Sequence, residues 1–334
     1  MKYLGVFCPY LRKISLTLLF FGTLFSQSRV SFFHALYEKG LYNPSAVVDE
    51  SASISFVHRN QWVGVAKNPK TFAMHTQFYL GDFTKVPLGL GISYQNDALG
   101  SLLTQNLQLA LAYKTDFMPK KAGFFALGVS MLADFSRYND AFLFPNGTNF
   151  EPLLAQYKNT QKMDMALGIQ YKAYQDLFSL GFSAQRFLGF EKPLLSAFAQ
   201  YQLNLQNKET LLSTQHVLRF KAQVFSDTQN QTFDVASDYY LMRWVYLGVS
   251  YRYYAGFGFY LGLEKMQKIA YQKNLLWQLG YAYIPMQNKN GLLHKGSHEI
   301  FFRLSFSRKN ISRDNYSEDQ DPTGVESSRY HKYP

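Results

Sequence analysis

The sequence predicts an all-β protein, a transmembrane antiparallel β-barrel of about 14 strands. Three observations predict it: an export signal at the N-terminus, period-two alternation along nearly all that follows, and an aromatic content of 17% beside only 17% charged residues. A soluble domain carries about 25% charge. Many aromatics with a mean hydropathy of −0.20 suit a wall that is apolar outside and polar within.

The signal comes first. Lys2, Arg12 and Lys13 precede an apolar run at 14–25, and Ser26, Gln27 and Ser28 follow it. A basic start, a short apolar core and a small-residue exit describe a secretory signal peptide, assigned to residues 1–26. A transmembrane helix needs about 20 residues, which argues against an uncleaved anchor. The one cysteine, Cys8, lies before the apolar core, whereas a lipoprotein cysteine follows it. The mature chain then holds no disulfide, thiolate metal ligand or cysteine nucleophile. No later apolar run is long enough for a spanning helix, so the chain spans with strands. Without the three signal cations the formal charge of +11 falls to +8. Lys and Arg are scattered instead of clustered, which argues against a nucleic-acid partner. Anionic headgroups or an acidic partner account for the charge equally well.

Residues 27–50 form a pre-barrel segment. Phe32, Phe33, Leu36 and Tyr37 have helix-like spacing, which Asn43-Pro44 breaks. This segment either plugs the lumen or covers the periplasmic rim; the residues alone leave both open.

The barrel occupies 51–308. Alternating runs fall at 51–62, 72–80, 88–94, 107–113, 125–133, 163–171 and 178–184, then at 195–203, 218–224, 233–239, 245–251, 257–263, 275–283 and 300–306. Fourteen is an even number, as bacterial barrels require. One parity is apolar. The other carries Asp164, Gln170, Lys221, Asp234, Asp238, Arg252, Glu299 and Arg303 beside many glycines, which places charge in the lumen. Tyr94, Tyr113, Tyr171, Tyr251 and Tyr283 near run ends suggest an interfacial girdle. With the N-terminus periplasmic, 139–159 is the one long external connection and the rest are short. The tail 309–334 is polar and poor in aliphatics, the composition of a disordered segment.

No catalytic, cofactor or metal constellation emerges. His298-Glu299 lacks an i, i+4 histidine partner for zinc. Gly89-Leu90-Gly91 and Gly256-Phe257-Gly258 lack the third glycine and the strand-to-helix setting of a dinucleotide loop; glycines in barrel strands permit bending or close packing. There is no phosphate-binding loop and no Gly-x-Ser-x-Gly elbow.

Four stretches remain. Asn43-Pro44 comes first, then Arg59-Asn60-Gln61-Trp62-Val63-Gly64 at the end of the first strand. Pro69-Lys70-Thr71 opens the second strand, and Gly296-Ser297-His298-Glu299-Ile300 begins the last. In this order, over nearly the whole mature chain, the sequence resembles the PorP/SprF family of the type IX secretion system of Bacteroidetes. It departs from that family in having Ser45-Ala46-Val47-Val48 without the usual glycine after Asn43-Pro44, and in running well past the last strand. The resemblance implies a non-enzymatic outer-membrane component that supports export or surface anchoring of proteins with C-terminal sorting domains, some of them gliding adhesins. It implies other secretion components as partners, beside outer-membrane lipid. The alternative is a passive or hydrophobic-ligand channel; bulky Phe198, Tyr246 and Phe301 on the lumen parity favour a filled barrel instead. Parity also sets Arg59 and Glu299 in the lumen near the outer ends of the first and last strands. They are candidates for a cross-strand pair that clamps the barrel seam. Asn43, Pro44, Asn60, Gln61, Trp62, Gly64, Pro69, Lys70 and His298 complete the set of candidate seam or partner-contact residues.

Overall fold

The computed structural model describes residue 32 and residues 38–65, 67–115, 123–138, 159–173, 177–188, 193–205, 216–226, 231–241, 244–253, 256–270, 273–285 and 296–307. The expected signal peptide and tail lie outside them, as do residues 33–37, the core of the expected helix.

Fourteen strands close into one barrel. They are β1 (Ala52–Asn60), β2 (Lys70–Tyr79), β3 (Leu88–Leu99), β4 (Leu102–Thr115), β5 (Phe124–Tyr138), β6 (Asn159–Lys172) and β7 (Phe178–Gln185), followed by β8 (Leu194–Asn204), β9 (Val217–Ser226), β10 (Gln231–Leu241), β11 (Val245–Arg252), β12 (Gly256–Ala270), β13 (Lys273–Ile284) and β14 (Ser297–Ser307). Each strand pairs antiparallel with its neighbours in sequence, and β1 pairs with β14. Closure leaves no unpaired edge within hydrocarbon, the condition for spanning with strands.

Side-chain parity follows the sequence pattern. Leu109, Met131, Leu167, Leu247, Phe257 and Ile300 are exposed on the outer wall, while Asp164, Lys221, Asp234, Asp238, Glu299 and Arg252 are buried inside. Every alternating run became a strand, with several boundaries moved. The first strand stops at Asn60, so Gln61, Trp62 and Gly64 belong to the following turn. β6 runs past β7 at the rim away from the termini: it pairs with β5 from Asn159 but with β7 only from Ala166. The connection 285–296 is also long, so 139–158 is not the one long external connection.

The lumen is filled from two sides. Tyr240, Tyr246 and Tyr260 project inward from β10–β12 and pack with Ala236, Ala282 and Ile284. Their rings use the space left by glycines on the adjacent strands: a Cβ at Gly248 would strike Tyr260, and one at Gly262 would strike Tyr246. The N-terminal segment fills the other side. Phe32, Tyr42, Val47 and Val48 are all buried, so the segment plugs the lumen instead of covering a rim. Phe198, Tyr246 and Phe301 are buried too.

Candidate functional site

The N-terminal segment crosses the lumen as two short 3-10 turns, Lys39–Leu41 and Pro44–Val48. Asn43-Pro44 thus begins a turn here. Pro44 has no N–H to satisfy at the first position, and Asn43 Oδ1 accepts from Ser45 N at 3.0 Å and Ser45 Oγ at 2.6 Å. Asn43 Nδ2 donates to the carbonyls of Ile169 and Phe182 on β6 and β7. The close approach depends on glycines in the wall. A Cβ at Gly168 would overlap Asn43, one at Gly128 would overlap Pro44 and Ser45, and those at Gly89 and Gly91 would overlap Val47. Polar wall residues satisfy the segment's backbone: Ser183 Oγ and Gln185 Nε2 donate to Tyr42 O, and Gln170 Nε2 donates to Ser45 O.

Carboxylates tie the segment to the last strand. Arg303 on β14 meets Glu50 at 2.6 Å and Glu38 at 3.3 Å. Burial pushes the Glu38 carboxyl up to about 7, against the pull of Arg303. For Glu50, burial would also raise the carboxyl, but the Arg303 guanidinium outweighs it and holds the group below its ordinary value. The two act oppositely on docking. Glu38 favours the docked state fully below its free value of 4.5, and that contribution fades as pH rises through about 7. Glu50 favours it above 4.5 and loses effect as pH falls. Docking should therefore weaken between pH 5 and 8, and Glu38→Gln should flatten that slope. Labelling of Ala46→Cys, a buried position, measures it; equal slopes in both proteins would count against the assignment. Below the segment, toward the terminal end, lies a polar cavity of about 170 Å³ lined by Lys172, Arg219, Lys221, Glu264, Gln278 and Arg303.

The remaining candidate residues gather at the far rim of the seam. Arg59 stands opposite Glu299 and Asn60 opposite His298 in the β1–β14 register. Arg59 is 4% exposed and Glu299 0%, and the charges of Arg252, Glu299 and Asp234 all act on Arg59. Next along the row, Thr71 pairs with Arg59 across β1–β2 and donates to Asp97 at 2.6 Å. The β1–β2 turn is bound to the start of β14: Val63 N donates to Gly296 O at 2.9 Å, and Trp62 N donates to Ser297 Oγ at 3.2 Å. Gln61 N donates to Pro69 O. Asn68 Nδ2 donates to Gln61 O at 2.7 Å and contacts Asn60 Oδ1. Trp62 has φ +52° and Gly64 φ +98°, a turn of left-handed residues that explains the glycine. The indole is exposed, and so is Lys70, which stands opposite Asn60 in the β1–β2 register. His298 faces outward, with Nδ1 2.6 Å from the Tyr281 hydroxyl and its ring against Tyr283.

The structure therefore splits the candidates in two. Arg59 to Gly64, Pro69, Lys70, His298 and Glu299 form one rim of the seam, while Asn43-Pro44 grips β5–β7. Sequence reasoning placed Tyr246 and Arg303 in the lumen but missed Tyr240 and Tyr260 beside the first and Glu38 and Glu50 as the partners of the second. Only the glycines at 248 and 262, each on a strand beside a tyrosine, hinted at the tyrosine cluster.

A family model described as type IX secretion system membrane protein PorP/SprF matches residues 24–304. The chain belongs to the PorP/SprF family. It is an outer-membrane β-barrel, and as a family member it is a component of type IX secretion. The motif residues of this PorP/SprF barrel build its seam rim and its lumen plug. No curated protein matches the chain. Among solved structures it is similar to CdiB from Acinetobacter baumannii, at 11% identity and TM-score 0.42, over 77% of this chain and 60% of that one. The Pseudomonas putida toluene transporter TodX follows at 10% and 0.41, over 85% and 95%. The Acinetobacter baumannii outer membrane protein Omp33 stands at 9% and 0.37, over 77% and 98%. Likeness at this level says nothing of what the PorP/SprF barrel handles.

Proposed function

We propose that this PorP/SprF protein is a non-enzymatic assembly component that supports export or surface anchoring of proteins bearing C-terminal sorting domains, gliding adhesins among them. Family membership over residues 24–304 carries the reading. The lumen supports it, since a bore occupied by the N-terminal segment and by Tyr240, Tyr246 and Tyr260 suits a scaffold better than a solute channel. With both termini periplasmic, the rim holding Trp62, Gly64, Lys70 and His298 faces the cell exterior. The polar cavity at the other end faces the periplasm, where other secretion components would dock. Work would then be done on the rims of the barrel.

Deleting the gene should strand sorting-domain proteins inside the envelope and leave uptake of small solutes unchanged. Fractionation of surface and periplasmic proteins, with a solute-uptake assay, reads both. Normal surface proteins with lost uptake would overturn the proposal in favour of the channel.

A further inference from the structure

We infer that the N-terminal segment is a clamp across the barrel seam, with Arg303 as the positioning residue, so that β1 closes on β14 only once the segment has docked. The inference is independent of the secretion reading.

The seam is the one pairing that sequence neighbours cannot supply. Every other strand pair joins consecutive strands through a connection of modest length, whereas Ala52 must find Phe306. Loop-closure entropy rises with the length enclosed, so this pairing has the largest entropic cost. The segment lowers it. Glu50 sits two residues before β1 begins and holds Arg303 of β14, a residue that lies opposite Ser55 of β1. Once the Arg303 fork takes Glu50, with Glu38 beside it, β14 is held near β1 before any seam hydrogen bond forms. A guanidinium suits this task because its planar donors can hold the Glu50 carboxylate and still reach the Glu38 carboxyl group in either protonation state. Apolar contacts repeat the bridge further along the seam. Phe32 and Tyr42 pack in one cluster with Val57 of β1, Ala73 of β2 and Phe301 of β14. The cluster extends to Phe225 on β9, and Arg252 on β11 donates to Phe32 O at 2.9 Å. The segment also grips β5–β7 through Asn43 and Pro44, so it reaches the opposite wall as well as the seam.

The test uses the full chain, refolded into lipid vesicles. With Cys8 replaced by serine, the chain is free of native cysteine, so engineered cysteines can be placed at will. One pair, His58→Cys with Ile300→Cys, lies opposite across the seam. A second, Val224→Cys with Phe233→Cys, lies opposite within the consecutive β9–β10 hairpin. Glu50→Gln and Arg303→Gln should each cut the yield of the seam crosslink about tenfold and leave the hairpin crosslink unchanged. The double variant should be no worse than Arg303→Gln alone, because that change already removes the contact that Glu50→Gln removes. Arg303→Lys, which keeps the charge without the fork, should recover part of the yield. Seam crosslinking at the unsubstituted level overturns the clamp. So does an equal fall of both crosslinks, which means general unfolding, or a double variant whose losses add.

Discussion

Gly168→Val should expel the N-terminal segment from the lumen. A Cβ at Gly168 falls on Asn43 Oδ1, and Pro44 Cδ lies only 2.9 Å away. Neither partner can retreat easily: Asn43 Oδ1 caps the Pro44–Val48 turn and Pro44 is rigid. Overpacking of this kind costs about 1–3 kcal/mol, which is roughly 5- to 150-fold in a docking equilibrium. Valine is a good strand former, so the barrel wall should survive. The expected result is faster thiol labelling of Ala46→Cys in the Gly168→Val protein, with unchanged β-sheet circular dichroism. Labelling that stays as slow as in the unsubstituted protein would show that the glycine is not needed for the close approach. Leu167→Val, on the lipid-facing side of the same strand, should have no effect.

Glu299→Ala should destabilise the barrel more than Arg59→Ala does. The two stand opposite in the β1–β14 register and are both buried. Breaking a buried charge pair by removing one partner typically costs about 3–5 kcal/mol, because the other charge is left uncompensated. The asymmetry comes from the surroundings. Without Glu299, Arg59 feels Arg252 as well as Asp234, and Asp234 is already paired with Arg252 at 2.8 Å. Without Arg59, Glu299 is left in a field that still contains a guanidinium. We propose that the pair clamps the seam rim. A double-mutant cycle by urea unfolding in vesicles should give a coupling of about 1–3 kcal/mol. A coupling near zero would mean that each charge is satisfied separately, leaving the Trp62–Gly64 turn as a partner's docking edge.

The strands and their inward and outward faces were legible because a barrel wall has one apolar and one polar side, and period two states this residue by residue. Parity and strand order put Arg59 and Glu299 in the lumen at similar height on adjacent strands, while their residue-by-residue register belongs to the β1–β14 ladder. Lumen contents were less legible. Tyr240, Tyr246 and Tyr260 sit on the polar parity, and their fit becomes visible only when Gly248 and Gly262 are known to be their neighbours. Asn43-Pro44 looked like the end of a helix, since proline interrupts helical spacing. Here tertiary contacts with Gly128 and Gly168 decide, and those glycines lie more than 80 residues away. Trp62 kept the parity of its strand in the sequence, and nothing local signals a tryptophan at positive φ. Arg303 read as one more lumen cation because its partners lie outside the strands.

The occupied bore has a mechanical consequence. A hollow cylinder one strand thick flattens under sideways load, and its wall yields at the joint between first and last strands. Here a polypeptide strut spans the cross-section, from Asn43 at β6 and β7 to Glu50 at β14, and three tyrosines brace the remaining arc. Tension applied at the outer rim would then be shared by opposite walls instead of being concentrated at one joint. A barrel stiffened in this way keeps its cross-section when one rim is loaded.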